Sequence, residues 1–501
     1  MKQNVFLILQ WMVLCILHGC VSGPENPVPV AQQPAIWPDY TTVTVPNNIA
    51  PLNFTLTDSS FLALSAEFSG PDGTYFQITG RKGISIPAKK WAKLIMANIG
   101  DSICVTVCAL KGERWEQYAP FSIYISSYPV DYGLMYRLVA PGYELYSRMG
   151  IYQRELHSFS QKEIFVNTLM KETCVNCHAV NYGNPDYFNL HLRGLQGGTI
   201  IKKNGETSVY ETKTAQTLSN CVYPYWHPSG RYIAYSVNTT RQMFPMGEDK
   251  RIEVYDEASD VVVFDTRGNS LISSKQLTTN KFETFPAFSP DGKYLYFCVS
   301  DEKKMPDEYL EVRYALCRIA FHPESGTFGS VTDTLINAPA MGKSLTFPRP
   351  SPDGRYLMFT LADYGTFPIW HAEADLGLLD LQTGEWHLME GLNSSETESY
   401  HSWGSNSRWI VFSSRRDDGL YTRPYIACID ENGRTGKPFL LPQKNPAMYY
   451  SNLLFSYNIP EFITGPVKLD MRKAAKKTAR KTSLSWGGLK DEADTNWQPQ
   501  I

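Results

Sequence analysis

One phrase recurs along the second half of the chain: Tyr-Pro-Tyr-Trp-His-Pro-Ser-Gly-Arg from Tyr223, Phe-Pro-Ala-Phe-Ser-Pro-Asp-Gly-Lys from Phe285, Phe-Pro-Arg-Pro-Ser-Pro-Asp-Gly-Arg from Phe347 and Tyr-His-Ser-Trp-Gly-Ser-Asn-Ser-Arg from Tyr400. The copies start 62, 62 and 53 residues apart, and each runs directly into a β-rich segment such as Tyr294 to Val299 or Tyr356 to Leu361. An aromatic anchor, a tight turn and an alternating strand make a hairpin that buries one face. One such unit cannot close its own core; units arranged around an axis bury each other's faces, which predicts a β-propeller. The fourth copy lacks the Pro and the Gly, so Asn406 is expected to manage its turn. Thr199 to Val209 supplies outer strands of a further blade and Tyr449 to Phe462 a closing strand, giving five or six blades over residues 199–463.

Ahead of the repeats stands Cys174-Val-Asn-Cys177-His178. This is the spacing of covalent c-type haem attachment, in which Cys174 and Cys177 form thioethers and His178 binds the iron. A disulfide, a reduced pair or part of a zinc site are the competing readings, although His191 and Cys221, the nearest later ligands, stand alone. Ser160-Gln-Lys-Glu163 has capping-box spacing, and Ile164, Phe165, Leu169 and Met170 follow at helical intervals. A short helical haem-binding segment is therefore expected over residues 128–198. His191 is the expected distal ligand, with Met243, Met246 and His157 as alternatives.

The N-terminus fits such a cofactor, because haem c is attached outside the cytoplasm. Lys2 precedes an apolar run from Val5 to Leu17, broken by Gln10, and Leu17-His18-Gly19-Cys20 has the form of a lipobox. These features predict a signal peptide over residues 1–19, lipidation of Cys20 and a tether over residues 20–36. A net charge of −3 excludes polyanion binding as the main business of the body. Of the other cysteines, Cys104 and Cys108 share one expected strand and are too far apart to bridge each other.

Residues 37–127 show short alternating strands between turn signals at Pro71-Asp-Gly73 and Lys111-Gly112, read as a small immunoglobulin-type β-sandwich with Trp91 and Trp115 as core residues. Loops following the blade strands carry Arg241, Tyr364, Trp370, His371, Arg415 and Arg416, which are expected to converge on one docking face. Beyond Pro466 the chain is basic and poor in apolar residues, which predicts a disordered tail over residues 464–501. No hydrolytic motif is present.

The segments FSPDGKYLYF and PSPDGRYLMF resemble the repeat of TolB-type propellers. The order of lipobox, C-x-x-C-H, HLRGLQGGT from His191 and SNSRWIVFSSRRDDGLYTRPYIA from Ser405 resembles a family of exported Bacteroidetes lipoproteins described as TolB-like or cytochrome-c-related. That resemblance implies an outer-membrane lipoprotein facing the periplasm. The combined expectation is a mainly β, membrane-anchored protein with one haem c, transferring electrons to an envelope partner docked on the propeller and binding no nucleic acid. A haem-free interaction scaffold and a haem-based sensor are the alternatives.

Overall fold

The computed structural model describes residues 23–142, 148–245 and 250–492. The expected signal peptide, Cys20 and Met246 lie outside these residues. The chain divides into two units, Met1–Ser127 with Pro442–Asn452, and Tyr128–Leu441 with Leu453–Ile501.

The first unit is built on one sheet. Its long strand Ser102–Lys111 pairs on one side with Ala63–Ser69 and on the other, end to end, with Arg114–Gln117 and Phe121–Ser126. Val28–Pro29 and Thr44–Pro46 join the same sheet in parallel. The helix Ala88–Ala97 buries Trp91, Leu94 and Ile95 at helical spacing, and Trp91 donates its indole N–H to the Ile49 carbonyl at 2.9 Å. The expected strands exist, but most of them form one mixed sheet with a helix, and Thr55–Leu56 lies in a separate two-stranded sheet. Part of the expected tether is drawn into the unit, since Ile36–Trp37 pairs with Thr55–Leu56.

The second unit is a propeller-like succession of antiparallel four-stranded meanders. The repeat phrase forms the innermost strand and first turn of its meander. In the copy from Phe285, Ser289 Oγ donates to Asp291 at 2.5 Å, Asp291 accepts from the Lys293 amide at 3.0 Å, and Gly292 takes φ +73°. The copy from Phe347 repeats these contacts with Ser351, Asp353 and Gly354. In the copy from Tyr400 it is Ser407, not Asn406, that adopts the left-handed conformation, with φ +57°. Asn406 does the work of the aspartate, accepting from the Arg408 amide at 3.1 Å.

Two further meanders replace the helical segment expected before residue 199. Thr173–Asn181, Asn184–Gly194, Gly198–Lys203 and Glu206–Glu211 make one. Gly133–Val139, Gly150–Glu155 and Gln161–Val166 make the other, with Ser456–Ile463 from near the C-terminus as its innermost strand. Thus Thr199 to Val209 and the closing strand belong to different blades. The expected helix is absent because Ile164-Phe165-Val166 is a contiguous β-branched and aromatic run that is buried in a strand, while Glu163 pairs with Arg148 at 2.9 Å instead of capping a helix. Innermost strands pack beside one another in chain order from Thr173–Asn181 to Ser456–Ile463, and the last touches the first.

The described part of the basic tail, residues 464–492, is folded onto the propeller-like unit. Asp470 caps the helix Met471–Lys477 through the Lys473 amide at 2.9 Å. Thr482–Ser483 then pairs with Tyr210–Glu211, and Ser485–Leu489 with Ser270–Ser273, strapping the outer edges of successive meanders. Its few apolar residues are spaced to meet that surface, with Val467, Ala474 and Leu484 buried. Lys477 and Lys481 are held by the Thr207 carbonyl and the Glu211 carboxylate, each at 2.6 Å.

Candidate functional site

The C-x-x-C-H motif lies on an innermost strand, and its register identifies what it does there. Between the pairs Glu283–Val299 and Ala287–Tyr296, the strand Phe282–Phe288 spends one more residue than its partner. Between Val175–Leu192 and Ala179–Asn189, the strand Thr173–Asn181 does the same. Such a bulge re-aims the residues it contains. The shift in this strand falls between Val175 and His178, one residue earlier than in the repeats relative to the hub, and it is the equivalent backbone partners of His178 and His401 that set Cys177 on Tyr400, and hence on Phe285.

These positions form the hub of the propeller. Tyr223 meets Phe285 at 4.6 Å between ring centroids, Phe285 meets Phe347 at 4.5 Å, and Phe347 meets Tyr400 at 4.7 Å. Tyr223, Phe285, Phe347, Tyr400 and Ile459 all carry left-handed backbones, with φ between 42° and 54°. Cys177 is 3 % exposed and acts electrostatically on the hydroxyls of both Tyr223 and Tyr400. It is the thiol member of an otherwise mostly aromatic plug.

His178 and His401 have matching surroundings. Burial pushes each imidazole down to about 3; the Met135 and Ile459 backbones oppose this at His178, and the Met358 and Phe347 backbones at His401. Each set comes from the preceding meander. His401 has no cysteine beside it, so the position itself accounts for a buried neutral histidine.

A haem does not fit these residues as folded. The His178 side chain is fully buried and faces the preceding meander, where its partner Leu190 packs with Met135 and Ile151. His191 faces the other side, where neighbouring Asn189 accepts from the Trp226 indole at 2.8 Å. A β-sheet thus separates the expected proximal and distal ligands. His191 is itself occupied by Thr199 Oγ1 at 2.9 Å. Met243 ends a strand half-buried, and the exposed His157 stacks edge-on against Tyr132. No group of three or more His, Cys, Asp or Glu able to hold a metal ion occurs among the described residues.

Loops from alternate strand ends define the two faces of the propeller. One face carries the expected docking residues, but most are turned inward. Trp370, His371 and Arg415 are buried, and the Arg415 guanidinium lies 3.3 Å from the Trp370 ring centroid. His371 bridges Glu253 and Glu373, each at 3.2 Å, and Tyr364 donates to Glu253 at 3.0 Å. Burial disfavours the His371 cation, but the two carboxylates outweigh it and hold its pKa above the ordinary value. Arg416 pairs with Glu398 at 3.0 Å, and Arg241, the most open of the set, with Glu257 at 3.1 Å. These groups brace the loops from beneath.

The outer surface of the same loops is apolar at intervals. Leu195 is 82 % exposed, Leu454 63 %, Phe244 and Leu310 50 %, Met341 47 % and Leu218 39 %. Each lies in a loop between second and third strands or between consecutive meanders, and therefore on this one face. Sequence reasoning pointed to the charged residues of these loops and missed the apolar ones, whose signal was their placement in otherwise polar turns.

At the opposite mouth of the hub is a cavity of about 110 Å³ lined by Arg349, Glu461, Tyr182, Tyr225, Ser402 and Trp403, among others. It is far smaller than the roughly 300–1,000 Å³ of pockets for drug-sized ligands. Neither cysteine of the motif lines it.

No family model and no curated protein matches the chain. Among solved structures it is similar to an oligogalacturonate lyase in complex with manganese, with 14 % identity and TM-score 0.35 over 58 % of this chain and 70 % of that one. It is also similar to a puromycin-hydrolyzing peptidase of Mycobacterium tuberculosis, with 12 % identity and TM-score 0.35 over 80 % and 57 %. A DUF4784 family protein from Bacteroides caccae aligns with 7 % identity and TM-score 0.28 over 71 % and 94 %.

Proposed function

We propose that this protein is a haem-free propeller adaptor of the bacterial envelope, tethered through a lipidated Cys20, whose loop face docks a protein partner presenting apolar side chains. The ring is read as six-bladed, one blade carrying Cys177 at its hub and another closed by Ser456–Ile463. The observation that carries the reading is the collection of Leu195, Phe244, Leu310 and Leu454 on one loop face. Exposed apolar side chains that recur on one face of the ring, rather than being scattered over both, favour an interaction surface on that face. The buried braces beneath, Glu253 with His371 and Trp370 with Arg415, hold the loops in place before a partner arrives, reducing the ordering cost of association.

The test is site-specific photocrosslinking in intact cells. A crosslinker at Phe244 or Leu310 is expected to give one discrete adduct, lost when Leu195→Glu is added, while a crosslinker at Val331, an exposed position in an outer strand, gives none. Equal crosslinking from Val331, or adducts indifferent to Leu195→Glu, would remove the loop face from consideration.

A further inference from the structure

The cavity at the far mouth of the hub has a feature that the adaptor role does not use. Arg349 lies one residue before the end of the innermost strand Ser344–Pro350. Its guanidinium lies 5.3 Å from the Tyr225 ring centroid and donates to the adjacent Pro348 carbonyl at 3.0 Å. It belongs to no ion pair among the described residues, whereas Arg137 donates to the Val175 and Asn176 carbonyls and Arg148 pairs with Glu163. The acids nearby are occupied. Asp131 accepts from Ser405 through its amide at 2.8 Å and its hydroxyl at 2.5 Å. Glu461 accepts from the Val180 amide at 3.1 Å and faces the His178 imidazole at 3.5 Å, and burial raises its pKa to about 8 with Arg349 opposing, which weakens its claim on the Arg349 charge.

A half-buried cation beside aromatic walls is a receptor for an anion. Arginine suits a carboxylate in particular, because two parallel N–H donors match its two oxygens. The volume limits the rest of the ligand. At about 110 Å³ the cavity is smaller than the roughly 150 Å³ apolar cavity that holds benzene, which leaves room for a short chain and not for a sugar ring with its substituents.

We infer that the cavity binds a small organic acid, its carboxylate on Arg349 and its short chain against Tyr182, Tyr225 and Trp403. Glu461 lines the same cavity, and Trp403 is fixed for the contact because its indole N–H is bound to the Arg349 carbonyl at 2.9 Å.

Calorimetric titration and thermal melting of the full chain with butyrate, succinate and butyramide test this. Butyrate or succinate is expected to bind saturably with roughly millimolar affinity or better, and butyramide, which has the same shape without the charge, is expected not to. Arg349→Gln should weaken binding by about tenfold or more, the value of a charge-assisted hydrogen bond, while Arg241→Gln on the other face leaves it unchanged. Ser405→Trp narrows the mouth from an exposed position and should also weaken binding, so the inference stays testable if Arg349→Gln fails to fold. Failure of both acids to bind saturably, or equal binding by butyramide or by the folded Arg349→Gln variant, would overturn it.

Discussion

The hub makes an unusual demand on its aromatic residues, and Phe285 exposes it most sharply. Phe285 is 2 % exposed, lies between Tyr223 and Phe347, and has φ +50°. Replacing a buried Phe with Ala removes about 3–5 kcal/mol through lost transfer energy and the cavity left behind, with about 0.5–1.5 kcal/mol for each edge-to-face partner. In an ordinary strand Gly would be worse than Ala by roughly 0.5–1 kcal/mol. At φ +50° the order reverses, because a Cβ in the left-handed region costs about 1–2 kcal/mol that Gly avoids. Phe285→Gly is therefore expected to be more stable than Phe285→Ala by about 1 kcal/mol, with both far below the parent. The propeller is monitored separately from the first unit by urea-dependent alkylation of Cys298, which is fully buried on the strand paired with the hub. A Gly variant less stable than the Ala variant would refute the strained bulge. A loss under about 1 kcal/mol in either would refute the plug.

Other perturbations have signs fixed by the same geometry. Glu461 holds its proton up to about pH 8 when folded against an ordinary value of 4.5, so its contribution is intact below 4.5 and is lost as pH rises to 8. Glu461→Gln should accordingly gain in melting temperature relative to the parent across that window, and a difference independent of pH would contradict the buried, protonated acid. Leu484→Asp, which puts a charge at a buried point of the C-terminal strap, should release the segment after Val467 to limited proteolysis while the hub stays protected; an unchanged digestion pattern would mean the strap is not held by these contacts. Leu195→Glu should leave the melting temperature unchanged, since the side chain is exposed, and a large loss would move Leu195 from the docking surface to the core.

The blades were legible where local chemistry repeats. Ser-Pro-Asp-Gly turns followed by alternating strands announced two meanders and His227-Pro-Ser-Gly230 a third, and the copy from Tyr400 was recognisable without its Pro and Gly because Trp403 and Arg408 keep their places. The two remaining meanders were hidden for physical reasons. In one, a cysteine replaces the hub aromatic and Asn181-Tyr-Gly183-Asn184 replaces the turn, so the segment presented itself as a metal motif. In the other, the strands that pair lie more than 300 residues apart, as Gly133 with Ile463, and local pattern cannot report a contact of that separation. Ile459-Pro460-Glu461-Phe462 does repeat the aromatic-Pro signature with an aliphatic residue at the hub, and a hub position defined as any large apolar residue or Cys, followed by Pro or His, finds both. The cavity on Arg349 was not legible, because it gathers Tyr182, Arg349 and Glu461 from three different meanders.

The account rests on Cys177 being a hub residue and not a haem anchor. The full chain, exported from cells that mature c-type cytochromes and weighed intact, tests this directly. The expected mass is that of the processed polypeptide with any lipid, with no Soret band and with Cys177 unreactive to alkylation until the propeller unfolds. A covalent haem on Cys174 and Cys177, seen as added mass and as a visible band surviving acid-acetone extraction, would contradict it.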